Sequence, residues 1–146
     1  MRRVSTAIVV AITLLGLAAA AAADDVAAVR QLLMATFDKP EAPLVVAPVV
    51  VAGDHAVADW SQGERGGRAL LRRARPGGEG WSLVLCAGDG IRAAEALRQA
   101  GVPAADAQTL ATRLADAERA LSPERRALFA TFEGIVTMHG SGAANH

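Results

Sequence analysis

A chain of 146 residues carrying 15 basic and 15 acidic side chains is long enough for one domain around a single core. Its charge balance excludes the strong basic excess of a nucleic-acid binder. A single cysteine, Cys86, excludes an internal disulfide, so its thiol is either buried or used.

Residues 1–23 have the layout of a secretory signal. Arg2 and Arg3 give the positive start, Ile8 to Leu17 the apolar stretch, and Ala21-Ala22-Ala23 the small-residue cleavage site. The apolar stretch tapers into alanines, unlike a membrane span, which wants about 20 strongly apolar residues. No membrane span is therefore expected after cleavage. The mature chain starts at Asp24 with 13 basic and 15 acidic side chains. An alanine- and arginine-rich composition with such a leader suggests a Gram-negative periplasm.

Asp24 to Phe37 reads as an amphipathic helix, capped by Asp24 or Asp25, with Val26, Val29, Leu32, Leu33 and Phe37 on one stripe. Asp38-Lys39-Pro40 ends it. Four strands follow: Leu44–Val51, Ala56–Ser61, Arg68–Arg73 and Trp81–Cys86. Short turns join them, so they form an antiparallel meander. Pro48 makes the first an edge strand. In the fourth, strict alternation puts Trp81, Leu83 and Leu85 on one face and Ser82, Val84 and Cys86 on the other. Asp89 is expected to cap a helix with Ile91, Ala94 and Leu97, closed by Gly101. A second helix starts at Pro103, with Leu110, Leu114, Ala117 and Leu121 as its stripe. Ser122-Pro123-Glu124 opens a last helix burying Leu128, Phe129 and Phe132, and Ile135 to Met138 can add a short strand. The layout is α+β: an N-terminal helix, a four-stranded antiparallel meander, then C-terminal helices on one sheet face. The domain spans 24–138, and 139–146 is a tail.

Several constellations resemble chemistry without supporting it. Gly88, Gly90 and Ala93 match G-x-G-x-x-A, but a dinucleotide site needs a parallel second strand, and Asp89 repels phosphate. A helix after a glycine turn explains them better. Asp54, His55, Asp59 and Ser61 are triad residue types lying in one hairpin, without a nucleophile elbow, and His55 reads as a solvated turn residue. Arg65, Arg68, Arg72, Arg73 and Arg75 read as a solvated hairpin end. Trp60 and Trp81 read as core residues, as does Met34. No catalytic residue emerges, so no enzyme is expected.

Sulfur and imidazole remain. Soft thioether and thiolate donors favour Cu(I), and imidazole accepts copper or zinc. "TMHGSGAANH" places Met138 beside His139, with His146 beyond a glycine-containing spacer. Met138, His139 and His146 are the candidate ligands, with Cys86 in reserve if exposed.

Three blocks in order, "LLMATFDKPEAPLVVAPVVVAGDHAVADWSQGERGGRALLRR", "W…LCAGDGIR" and "FATFEGIVTM", resemble the copper uptake system-associated proteins, a family of small exported proteobacterial proteins. The resemblance spans Asp24 to Met138. It implies periplasmic service beside copper-handling proteins of the envelope: a transporter, a receptor or a chaperone. It brings no reaction and no proven site, and family tails are often richer in histidine than this one. The expectation is a non-enzymatic periplasmic accessory protein of copper uptake, with copper as a weakly held cargo. A metal-free module docking on a copper transporter or receptor, and a periplasmic small-ligand binder, stay open as alternatives.

Overall fold

The computed structural model describes residues 8–138. Helix α1 runs without a break over Ile8–Phe37, so neither Asp24 nor Asp25 caps it. Alanine is the best helix former, and the run of alanines after Leu17 carries the helix through the expected start. Residues 16–24 are exposed, and packing begins only at Asp25. From there Val29 and Leu33 are buried, with Leu32, Met34 and Phe37 partly so. After Phe37 the chain leaves the helix, and Asp38 Oδ1 accepts the Leu44 N–H at 2.8 Å. Among the described residues no helix is long and apolar enough to cross a membrane.

The sheet has five antiparallel strands in chain order: β1 (Leu44–Ala52), β2 (His55–Gln62), β3 (Arg65–Arg73), β4 (Trp81–Ala87) and β5 (Ile135–Thr137). The first four are the expected meander, and β5 pairs with β4 after the helices. β1 is an edge strand, as Pro48 requires, and its pairing with β2 shifts register between Val46 and Val49.

A second irregularity corrects the expected facing of β4. Leu70 pairs with Leu85 but Leu71 pairs with Leu83, so Val84 is an extra residue in the ladder. A bulge of this kind reverses the in–out phase of everything beyond it. Trp81, Leu83 and Cys86 therefore share the α1 face, while Val84, Leu85 and Ala87 share the other.

The sheet is covered on both faces. On one, Val29 and Leu33 of α1 meet Val46, Ala58, Ala69 and Leu71. On the other lie α2 (Ala94–Gln99) and α3 (Ala104–Arg119), whose Leu97, Leu110 and Leu114 meet Val57, Leu70 and Leu85. Asp89 caps no α-helix. It opens a 3-10 turn over Asp89–Ile91, and Ala93 is extended (φ −88°, ψ 144°) before α2 begins. Pro103 stands one residue before α3. Helix α4 (Pro123–Phe129) starts as expected, the Ser122 hydroxyl accepting the Arg125 N–H at 3.2 Å. Phe129 is buried, whereas Phe132 lies past the helix end and packs with the α1 side.

Candidate functional site

Two features converge where the blocks of the sequence meet, one on each sheet face. The first is a cavity of about 130 Å³ between α1 and the sheet, lined by Leu33, Phe37, Trp60, Phe132, Cys86 and Met138 among others. Its walls hold no charged residue. Gln62 on these walls donates its amide hydrogens to the Phe37 and Ala42 carbonyls, at 2.9 and 2.6 Å, while the buried Trp60 Nε1 has no hydrogen-bond partner among the described residues. Trp60 and Phe132 meet edge to face, with ring centres 5.9 Å apart.

Backbone approach explains how distant segments build this cavity. The turn after α4 crosses the end of the sheet, where the Thr131 hydroxyl accepts the Gly66 N–H at 2.9 Å. A Cβ on Gly66 would lie 2.5 Å from the Trp60 carbonyl and 2.9 Å from that of Leu128. One on Gly88 would lie 2.5 Å from the Phe132 carbonyl. Glycine is needed there because main chain passes over main chain. Gly66, Gly67 and Gly88 thus serve packing, whereas Gly63, with φ 62° and nothing within 4 Å of an added Cβ, serves the turn between β2 and β3.

Cys86 and Met138 both line the cavity wall. The Val84 bulge turns Cys86 to this face, and the Val84 carbonyl accepts the Met138 N–H at 2.8 Å. Cys86 is 5% exposed, and burial pushes its thiol up to about 11. Met138 is half-buried and is the last described residue. His139 and His146 lie outside the described residues. Met34 packs in the α1-side core, as expected. Among the described residues, no group of three or more His, Cys, Asp or Glu side chains is arranged to hold a metal ion.

On the opposite face, the arginines expected to form one solvated patch divide. Arg65, Arg72 and Arg75 are exposed, but Arg68 is 1% exposed. Its Nε and Nη2 fork onto the Glu118 carboxylate at 2.7 and 3.0 Å, and Nη1 donates to Asp89 at 3.0 Å. Its guanidinium lies over the Phe129 ring at 5.7 Å. Asp59 is fully buried beside this pair, with its Oδ1 3.7 Å from Arg68 Nε and neither oxygen hydrogen-bonded. Arg73 leaves the patch too, paired with Asp25 and stacked 4.6 Å from the Trp81 ring.

His55 is also buried rather than solvated, and burial lowers its pKa. Neither its Nδ1 nor either Asp59 oxygen has a hydrogen-bond partner, so no Ser–His–Asp relay joins these residues. Trp81 is core, as expected, whereas Trp60 lines the cavity. Arg68, Asp59 and Glu118 went unrecognised as a cluster. A signal was present: Glu118 continues the Leu110, Leu114 stripe of α3 and so faces the sheet.

Comparison with protein-family models, with curated proteins and with solved structures finds no match.

Proposed function

We propose that this chain is an exported, non-enzymatic accessory protein of a copper uptake or handling system, carrying Cu(I) as cargo. One observation supports the reading most: Cys86 and Met138, from β4 and from the residue after β5, line the same uncharged cavity. A thiolate and a thioether in apolar surroundings suit Cu(I) and disfavour hard divalent ions, which want oxygen ligands. Cys86 thereby moves from reserve to principal donor beside Met138, with His139 and His146 as imidazole donors from the tail. Because the thiol is protonated at neutral pH, loading releases a proton, and affinity rises with pH. Anaerobic titration of the protein with Cu(I) against a competing chelator tests the reading. One ion per chain supports it, and a chain that leaves all copper with a weak chelator refutes it.

The second reading is a metal-free docking module, periplasmic and acting on the transporter, receptor or chaperone of the same system. It is favoured by Ile135 and Val136 on β5, which are 57% and 46% exposed. Large apolar side chains on a short last strand suit strand addition by a partner. Failure of the copper titration together with capture of such a partner would select it.

A further inference from the structure

We propose that Asp59 is a neutral carboxylic acid that shares one proton with Glu118, making the seam between β2 and α3 a latch that alkali opens. The inference is independent of the copper reading, because the latch lies on the face opposite the cavity.

The geometry leaves Asp59 no other state. It is fully buried, and both its oxygens lack a hydrogen bond. The nearby cation, Arg68, is already committed: two of its nitrogens hold Glu118 and the third holds Asp89. At 3.7 Å, Arg68 Nε is beyond hydrogen-bond reach of Asp59. One buried guanidinium cannot neutralise two buried carboxylates, and an unpaired buried charge neutralises itself by changing its protonation.

Charged and aromatic groups reach this pair from each neighbouring element. β3 supplies Arg68. The 3-10 turn supplies Asp89, and just after it Arg92 places Nε 3.7 Å from Glu118. α3 supplies Glu118. From α4 come Phe129 beneath the guanidinium and Arg125, which donates to the Ala47 carbonyl at 3.3 Å. Across from Asp59, β1 offers only the uncharged Ala47-Pro48 irregularity.

The electrostatics agree. Burial first, then Glu118, pushes the Asp59 carboxyl up to about 9, against the pull of Arg68 and Arg92. Burial also opposes the charge on Glu118, but the hydrogen bonds from Arg68, together with the hydrogen that a protonated Asp59 offers, hold its carboxyl below the ordinary value. The proton therefore sits on Asp59, which gains a hydrogen to donate towards the Glu118 carboxylate. Losing it puts a second negative charge beside the first, and the seam loosens.

The alkaline range is unusually clean for observing this. The chain has no tyrosine and one lysine, Lys39, and its one thiol titrates near 11. Carbon-13 NMR of the aspartate side chains in the full chain should show one carboxyl titrating near pH 9, missing in Asp59→Asn. That variant should melt no lower than the parent at pH 7 and should lack the parent's decline, which begins above about pH 4, where the unfolded aspartate ionises, and ends near pH 9. Glu118→Gln, which strands Arg68, should melt far lower at pH 7. A carboxyl set that titrates wholly between pH 2 and 5 in the folded parent would overturn the proposal, whether or not either variant folds.

Discussion

Arg73 grips Asp25 with both Nη atoms at 2.8 Å, at the point where α1 passes from solvent onto the sheet. The same guanidinium approaches Asp54 at 3.2 Å and covers the Trp81 ring. One residue of β3 thus fastens the helix entry, the first hairpin turn and the start of β4. The expected cleavage point, after Ala23, falls just outside that fastening.

Removal of residues 1–23 should therefore leave the unfolding free energy within about 0.5 kcal/mol, since residues 16–23, which lead into the packed part of α1, are exposed. Asp25→Ala should cost about 1 kcal/mol, the pair being mostly but not wholly shielded. Arg73→Ala should cost about 2 kcal/mol, because the stack on Trp81 goes too. Urea unfolding of the three proteins checks the order. If the shortened chain fails to fold, the helix before Asp24 has a role that its exposure does not suggest.

Both sulfurs should matter to copper. Cys86→Ser and truncation after Thr137 should each weaken Cu(I) binding at least about tenfold, equivalent to 1.4 kcal/mol. Chelation should leave the melting temperature of the apo core nearly unchanged, because apolar burial closes both faces without a metal staple. Competition titration and calorimetry read the two effects separately. Undiminished binding by Cys86→Ser would return the metal to the tail alone.

Acid should act through different groups from alkali. The Arg73 hydrogen bond lowers Asp25 from 3.8 despite some burial, and Glu118 is lowered from 4.5 by Arg68. An acid with a lower pKa in the folded state binds fewer protons there than when unfolded, so its contribution is complete above about pH 5. It is lost as pH falls through the folded values, at up to about 1.4 kcal/mol per pH unit per group. Melting followed from pH 4 to pH 2, below the range in which Asp59 takes up its proton on folding, should show this loss. In Arg73→Ala the Asp25 part should be missing, so a decline as steep as the parent's would remove Asp25 from the account.

Gly66→Ala and Gly88→Ala should each destabilise by more than about 2 kcal/mol, since the new methyl meets a carbonyl oxygen at 2.5 Å. Gly16→Ala, with nothing within 4 Å, should be neutral or slightly favourable as a helix substitution. Gly88→Ala should also shift Phe132 and blue- or red-shift Trp60 emission, which fluorescence of a Trp81→Phe background detects. Full stability in either sheet variant would mean that the crossing chain is looser than its contacts imply.

Period and turn chemistry were legible along most of the chain. Valine-rich Leu44–Ala52, Pro48 on an edge and Ser122-Pro123 before α4 each carry their reason locally. The start of α1 was not legible, because a cap signal at Asp24 competes with an alanine run that needs no cap. Strict alternation failed at Val84, since a bulge depends on the partner strand and leaves no mark in β4 itself. Arg68 looked solvated among polar neighbours because only the position of β3 in mid-sheet, covered on both sides, dictates burial. Cys86 and Met138 could be named from their chemistry, but their meeting depends on that bulge and on a strand arriving after three helices.

That late arrival has a consequence for assembly. Strands β1 to β4 add side by side in the order of the chain, through short-range contacts that form quickly. β5 pairs with β4 across α2, α3 and α4, so its pairing carries the larger loop-closure cost and is expected last. Met138 therefore joins the cavity wall late, and a half-folded chain presents its Cys86 thiol without that thioether. On the copper reading proposed above, metal offered too early would meet an incomplete pair, and a loaded protein would be a finished one.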